Sequence, residues 1–272
     1  MNKIPKHLKL SEKRAKKIIQ SKVKELKNYF KKFGFKKGVI GLSGGLDSAV
    51  SCVLAVKVLG AKNVITVLMP YQGISDPKGI PDALKLTKSL KIPKKNILII
   101  PINKVVNMTW RLVKSFKGKE KIRKGNLMAR ERMKILFDLS QVFKAIVIGT
   151  ENRSEEELGY YTLWGDQASG IEPIKNLWKT QVYELANFLK EIPKEILEKQ
   201  PSPGLWKGQT AEKEFGFSYL EADTILSALK DLKMKPSEIE KNFRIPKKKI
   251  DLILARVKIG EIKKLLPYVL KN

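Results

Sequence analysis

Soft metal ligands and nucleophiles are almost missing from this sequence: its 272 residues hold one cysteine, Cys52, and one histidine, His7. No intrachain disulfide can form, and no zinc cluster of cysteines and histidines can be assembled. A histidine-centred triad is disfavoured too, because His7 lies in the N-terminal tail. A divalent ion would have to be held by oxygen, which selects Mg2+ over softer metals. Long apolar runs are also lacking. No stretch approaches the ~20 residues that span a bilayer. The N-terminus, MNKIPKHLKLSEKRAKK, is basic without the apolar centre of a secretory signal. The expectation is a cytoplasmic protein with no membrane partner. Acidic residues are scarce beside basic ones, 27 against 55, for a net charge of +28. Such an excess invites a nucleic-acid reading. The lysines are dispersed, however, as in SEKRAKK, KKFGFKK and RIPKKK. Dispersed charge reads as solvated helix faces rather than one patch, so no specific nucleic-acid partner is expected. The same field favours a polyanionic small substrate.

Repeats, low-complexity tracts and long linkers are absent as well, so residues 1–272 read as a single domain. Ile18, Ile19, Val23, Leu26 and Phe30 recur at helical spacing and predict an amphipathic helix over about 11–33, stopped by Gly34. Val39 to Leu42 reads as a buried strand running into SGG, followed by a helix over 47–59 closed by Gly60. Strands at 63–70, 96–102 and 145–150 then alternate with helices at 80–90 and 126–141. This alternation predicts an α/β fold, a doubly wound parallel sheet covered on both faces, over about 36–190. A mainly helical part follows over about 191–272, interrupted by QPSPGLWKGQT at 200–210. Ligands of such sheets bind beyond the carboxyl ends of the strands. The two sharpest polar clusters, SGGLDS and GTENRSEEE, stand at such ends.

The segment GLSGGLDS, residues 41–48, has the character of a phosphate cradle. Small residues let backbone N–H groups approach an anion, and the next helix points its positive end at the same place. It lacks the lysine of a Walker A loop and carries Asp47 instead, placed to bind Mg2+ beside phosphates. These residues resemble the PP-loop of the N-type ATP pyrophosphatases, which split ATP into AMP and pyrophosphate while activating a carboxylate or carbonyl. Within that group, four further segments occur in the order and spacing of the NAD synthetases. They are GNLMARERM (125–133), VIGTENRSEEELGYYTLWGD (147–166), EPIKNLWKTQVYELA (172–186) and PSPGLWKGQT (201–210). The resemblance extends from about residue 20 to EIKKLLP (261–267).

The resemblance implies a Rossmann-like fold of the adenine-nucleotide α-hydrolase kind, and an ATP- and Mg2+-dependent ligase that amidates deamido-NAD with ammonia. It implies that Gly41, Leu42, Ser43, Gly44, Gly45, Leu46, Asp47 and Ser48 hold the phosphates of ATP, the co-substrate. Thr150, Lys179 and Ser202 would contact ATP, and Asp47 with Glu155 would bind Mg2+. Arg130 and Lys263 would contact deamido-NAD, and Asp166 would stand near the reacting carboxyl and the ammonia. Lys179 and Asp166 would be the catalytic pair, and the protein would be a homodimer. Read without the resemblance, Glu155 is a solvated acid at a helix start, Lys179 one lysine among many, and Arg130 the partner of an acid on its own helix. Cys52 reads as core, and Trp164, Trp178 and Trp206 read either as core or as ligand-facing.

Four positions depart from the commoner family pattern. Leu163 stands where lysine is frequent, Gly170 and Ala211 where aspartate is frequent, and Ile262 where histidine is. A minor branch of the family resembles this chain at three of them, and the departures leave room for a different acyl acceptor. Ammonia as nitrogen donor follows from what is missing. A glutaminase domain needs a catalytic cysteine and a few hundred more residues, whereas only 40 precede the loop motif. The other readings are a PP-loop tRNA-modifying enzyme, an amide ligase for another carboxylate, and a nucleotide sensor that keeps the loop without the chemistry.

Overall fold

A computed structural model describes residues 4–202, 204–206 and 208–270, so Pro203 and Lys207 of the PSPGLWKGQT motif lie outside the described residues. In chain order the elements are α1 (Glu12–Phe33), β1 (Gly38–Gly41), α2 (Leu46–Leu59), β2 (Val64–Leu68), α3 (Gly79–Ser89), β3 (Ile97–Ile99), α4 (Asn103–Val113) and α5 (Glu120–Phe143). They continue with β4 (Ile146–Ile148), α6 (Arg153–Leu158), α7 (Lys179–Ala186), α8 (Lys194–Leu197), α9 (Ala211–Phe215), α10 (Tyr219–Lys230), α11 (Pro236–Phe243) and α12 (Lys247–Lys264).

The strands pair in parallel in the order β3-β2-β1-β4. Val39 of β1 sits opposite Ile65 on one side and Val147 on the other. The chain moves outward from β1 through β2 to β3, then returns to place β4 on the opposite flank of β1. That reversal is a topological switch point, where parallel sheets form their ligand crevice. Alternation along β1 feeds two layers. Ile40 joins Val50, Leu54, Leu86 and Val182 under α2, α3 and α7. Val39 joins Ile65, Val106 and Met128 under α4 and α5. The sheet is therefore covered on both faces, as the alternation of elements predicts. A third apolar cluster, with Ala222, Ile225, Ile239 and Ile253, binds the C-terminal helices together and takes in Leu8 and Trp178.

Most predicted elements occur within a few residues of their expected bounds. Helix α1 starts where the Ser11 hydroxyl accepts the Arg14 N–H, and it stops at Gly34 in the left-handed region. Strands β3 and β4 are shorter than predicted. Backbone bonding along β3 continues from Ile100 to Leu68 and from Ile102 to Pro70. Pro70 and Pro101 bring no N–H of their own, which ends the regular ladder. Helix α5 is longer than the predicted 126–141 at both ends. Helix α4 was not predicted, and of its apolar residues only Val106 is buried. Among the described residues, no helix is long and apolar enough to cross a membrane.

Candidate active site

The loop between β1 and α2 is built by its own hydroxyls. Ser43 N–H and Ser43 Oγ both approach Ser48 Oγ, at 3.3 and 3.1 Å, and Ser48 Oγ donates to the Gly45 carbonyl at 3.0 Å. Gly45 N–H donates to Ser43 Oγ at 3.1 Å. Gly44 has φ +76°, and a Cβ there would stand 2.2 Å from the Gly79 carbonyl oxygen. Only glycine allows this loop to lie against the start of α3. Gly45 caps α2 without any side-chain hydrogen bond. The first N–H groups of α2 are therefore left to an incoming anion. Lys199, from the segment after α8, donates to the Gly44 carbonyl at 3.0 Å and pairs with Asp76 and Asp82 at 2.9 and 2.6 Å.

Asp47 leaves the first turn of α2 and meets residues from beyond β4. Lys179 Nζ donates to its Oδ2, and Asn152 Nδ2 donates to its Oδ1 at 3.1 Å. Asn152 also caps α6, accepting Glu155 N–H at 3.1 Å, while Glu155 accepts Asn152 N–H at 3.3 Å. The N-x-x-E pattern of a capping box was legible in GTENRSEEE. It accounts for the helix start, but Glu155 is not the solvated acid of the plainer reading. Burial first, then the charge of Asp47, pushes its carboxyl up to about 8, against the opposing pull of Lys179. Lys179 is 3% exposed. Burial alone would lower its pKa, yet Asp47 and Glu155 hold its ammonium well above the usual range. The two acids and the lysine predicted from separate motifs thus converge at the switch point.

The remaining predicted residues are held by other contacts, apart from the bonds that join Asp47, Asn152 and Lys179. Thr150 stands two residues past the end of β4 and is half-buried. Ser202 Oγ donates to the Gln209 carbonyl at 2.7 Å, closing the 200–210 segment on itself. Arg130, on α5, donates from Nε to the Leu163 carbonyl at 3.2 Å, not to an acid of its own helix. Asp166 accepts Thr162 N–H at 2.7 Å. Its side chain is exposed to solvent, although the protein atoms packed around it still raise its pKa. Lys263 reaches back from α12 to the Gly159 and Tyr161 carbonyls at 2.8 and 2.5 Å. Gly159 and Gly260 make that approach possible, since a Cβ on Gly159 would lie 2.5 Å from Gly260 Cα.

Of the three tryptophans within the family segments, Trp178 is core, 1% exposed, Trp164 is half exposed and Trp206 is half-buried. Cys52 is core, as read from the sequence. A further buried acid escaped the sequence reading. Glu151, buried behind Thr150, has its carboxyl pushed up to about 9 by burial and by Glu155, with Lys175 3.3 Å away. Its place in GTEN, next to the residue predicted to contact ATP, was the available signal.

A parallel sheet with an uncapped glycine-rich turn at its switch point, faced by two acids and a buried lysine, defines a PP-loop enzyme of the α/β class. The NAD synthase family model matches residues 18–267. The NH(3)-dependent NAD(+) synthetase of Fusobacterium nucleatum is 40% identical over 92% of this chain and 93% of its own. The NMN synthetase of Francisella tularensis has a similar structure, with TM-score 0.82 and 34% identity over 95% of this chain and 99% of its own. The NH3-dependent NAD synthetase of Campylobacter jejuni superposes with TM-score 0.76 and 30% identity over 94% and 99%. The chain belongs to the NAD synthase family and is a ligase that forms a carbon–nitrogen bond.

Proposed function

We propose that the enzyme uses ATP and ammonia to convert deamido-NAD into NAD, with AMP and pyrophosphate as the other products. The observation that carries this reading is the meeting of Asp47, Glu155 and Lys179 at the open N-terminus of α2. In the first step an oxygen of the nicotinate carboxylate attacks the α-phosphorus of ATP, and the bond to pyrophosphate breaks. In the second, the ammonia nitrogen attacks the acyl carbon, AMP leaves, and the nitrogen loses a proton. The loop N–H groups and Lys179 oppose the charge that builds on the phosphates. Asp166 is assigned the released proton, because it is a solvent-exposed carboxylate whose charge is felt at Glu155.

The residues present suit Mg2+. Among the described residues no group of three or more His, Cys, Asp or Glu could cage a metal. Mg2+, however, is commonly held by one or two carboxylates together with substrate phosphates and water. Asp47 and Glu155 are two such carboxylates, close enough that the charge of one raises the pKa of the other. The ion would supply charge neutralisation at the polyphosphate.

A second reading keeps the chemistry and shortens the acceptor to nicotinate mononucleotide. It is favoured by the likeness to an NMN synthetase together with the four departures. A Cβ at Gly170 would lie 2.3 Å from the Ile146 side chain, so no aspartate fits there as the chain stands. Ile262 offers no polar group, and Lys263 Nζ is already committed to two carbonyls. Comparing kcat/KM for the two acceptors separates the readings. Higher kcat/KM for deamido-NAD is expected, and a tenfold or greater preference for the mononucleotide would establish the second reading instead.

The outer face of α4 and α5 bears on assembly. Val105, Met108 and Leu112 of α4 are exposed at helical spacing, and Phe137 and Val142 of α5 are exposed as well. We propose that a second copy of the chain covers this face. Light scattering should then give about twice the chain mass of 30.9 kDa, and Leu112→Glu should shift the protein toward the single-chain mass. A single-chain mass for the unmodified protein at micromolar concentration would rule the dimer out.

A further inference from the structure

A second set of bonds holds the cleft residues from the side away from the nucleotide. Asp223 lies on α10, in the helical layer, and is fully buried. A buried carboxylate requires partners. Ser154 Oγ donates to its Oδ1 at 2.5 Å, and Thr180 N–H donates to its Oδ2 at 2.7 Å. Ser154 Oγ in turn accepts Lys179 N–H at 2.7 Å. These bonds satisfy the first two N–H groups of α7, which the helix itself cannot satisfy. They also join the first turn of α7 to the first turn of α6. Those two turns carry Lys179 and Glu155. From the cleft side, Asp47 binds Lys179 and Asn152. Asp223 thus closes a ring around the same two helix starts without reaching the phosphate loop.

Taking the amidation reading as given, we propose that Asp223 is a positioning residue: through Ser154 and the N-terminus of α7 it sets the separation of Glu155 from Lys179, and so the shape of the polyphosphate site. The rest of α10 supplies the contrast. Ser227, one turn further on and equally buried, bonds only to the Asp223 and Thr224 carbonyls and to His7. It shares the packing of Asp223 but none of the bonds to α6 or α7.

The test uses the full chain and three variants, Asp223→Asn, Ser154→Ala and Ser227→Ala. Each is measured by steady-state kinetics, by calorimetric titration with Mg-ATP and by thermal melting. Asparagine nearly matches aspartate in size but must turn an N–H2 toward one of two donors. Ser154→Ala removes the shared oxygen with little change in volume, and it serves if the buried Asp223 variant does not fold. Misplacing catalytic groups by about 1 Å costs on the order of 100-fold in rate. A kcat loss of that order is expected in Asp223→Asn and Ser154→Ala, with weaker Mg-ATP binding and an acceptor KM within about threefold of wild type. Ser227→Ala is expected to melt lower while keeping kcat within about twofold. The proposal is overturned if Asp223→Asn and Ser154→Ala both keep wild-type kcat, whatever their melting temperatures. It is overturned equally if Ser227→Ala loses as much kcat as they do. Absence of any amide product from the wild-type enzyme would refute the functional reading instead. In that event unchanged Mg-ATP affinity in both variants would still overturn the positioning role, and weakened affinity would support it.

Discussion

Asp47→Asn and Glu155→Gln are each expected to abolish adenylate formation while leaving the protein folded. The reason lies in which carboxylates stand nearest the open N-terminus of α2. Asp47 and Glu155 are the carboxylates beside the open start of α2, and Lys179 is already paired with Asp47. On the proposed Mg2+ assignment, loss of either acid removes half of the protein's share of the ion's ligands. A Lewis-acid contribution of several kcal/mol corresponds to a rate loss on the order of a thousandfold or more. Stability should behave differently. In the metal-free protein the Glu155 carboxyl is pushed up to about 8, from 4.5. A carboxyl whose folded pKa exceeds its unfolded one contributes less to stability as pH rises from about 4.5 toward 8, because the unfolded chain releases the proton more readily. Metal-free Glu155→Gln should therefore melt no lower than wild type near pH 8. ATP–pyrophosphate exchange, read beside thermal melts, tests both expectations. Near-normal exchange in both variants would remove these acids from the mechanism.

Ammonium chloride is expected to sustain turnover, and glutamine alone to give essentially none. The amide nitrogen of glutamine is a poor nucleophile and must first be released, usually by an activated thiolate. The sole cysteine cannot serve. Cys52 is fully buried in α2, and burial pushes its thiol up to about 12. No activating histidine stands in for it, since His7 Nε2 is 2.8 Å from Ser227 Oγ in the helical layer. Cys52→Ala should therefore keep ammonium-dependent activity. At fixed total ammonium the rate should rise as pH increases toward 9, because the neutral ammonia fraction grows. Glutamine-supported turnover comparable to that with ammonium, lost in Cys52→Ala, would show that this nitrogen assignment is wrong.

What could be read from the sequence divides along a physical line. Local signals were sufficient for α1, bounded by Ser11 and Gly34, and for β1 and its glycine-rich turn, where hydrophobic period and backbone freedom are both printed in the residues. The capping relation of Asn152 and Glu155 was equally local. Helix α4 was missed because its apolar stripe faces outward and packs little of itself into the core. The site divides in the same way. Asp47 announced itself within SGGLDS, but Lys179 is one of 55 basic residues and nothing near it marks it as buried. Only the family pattern pointed to it. Asp223 lay beyond either source, because its meaning depends on three elements meeting: α6, α7 and α10. Its carboxylate is raised to about 6 by burial, a property that depends on tertiary contact and not on its neighbours in sequence. Leu8 and His7 behave similarly: a tail by composition, they dock into the helical layer through Ser227 and the cluster around Trp178.

The most direct measurement of the central claim is a product balance. Purified enzyme is incubated with Mg-ATP, ammonium chloride and deamido-NAD, and NAD, AMP, pyrophosphate and ADP are quantified together by chromatography. Equal amounts of NAD, AMP and pyrophosphate are expected, with no ADP and no NAD when ammonium is withheld. Formation of ADP and phosphate in step with NAD would contradict cleavage at the α-phosphorus. Absence of NAD with every component present would contradict the assignment of deamido-NAD as the acceptor.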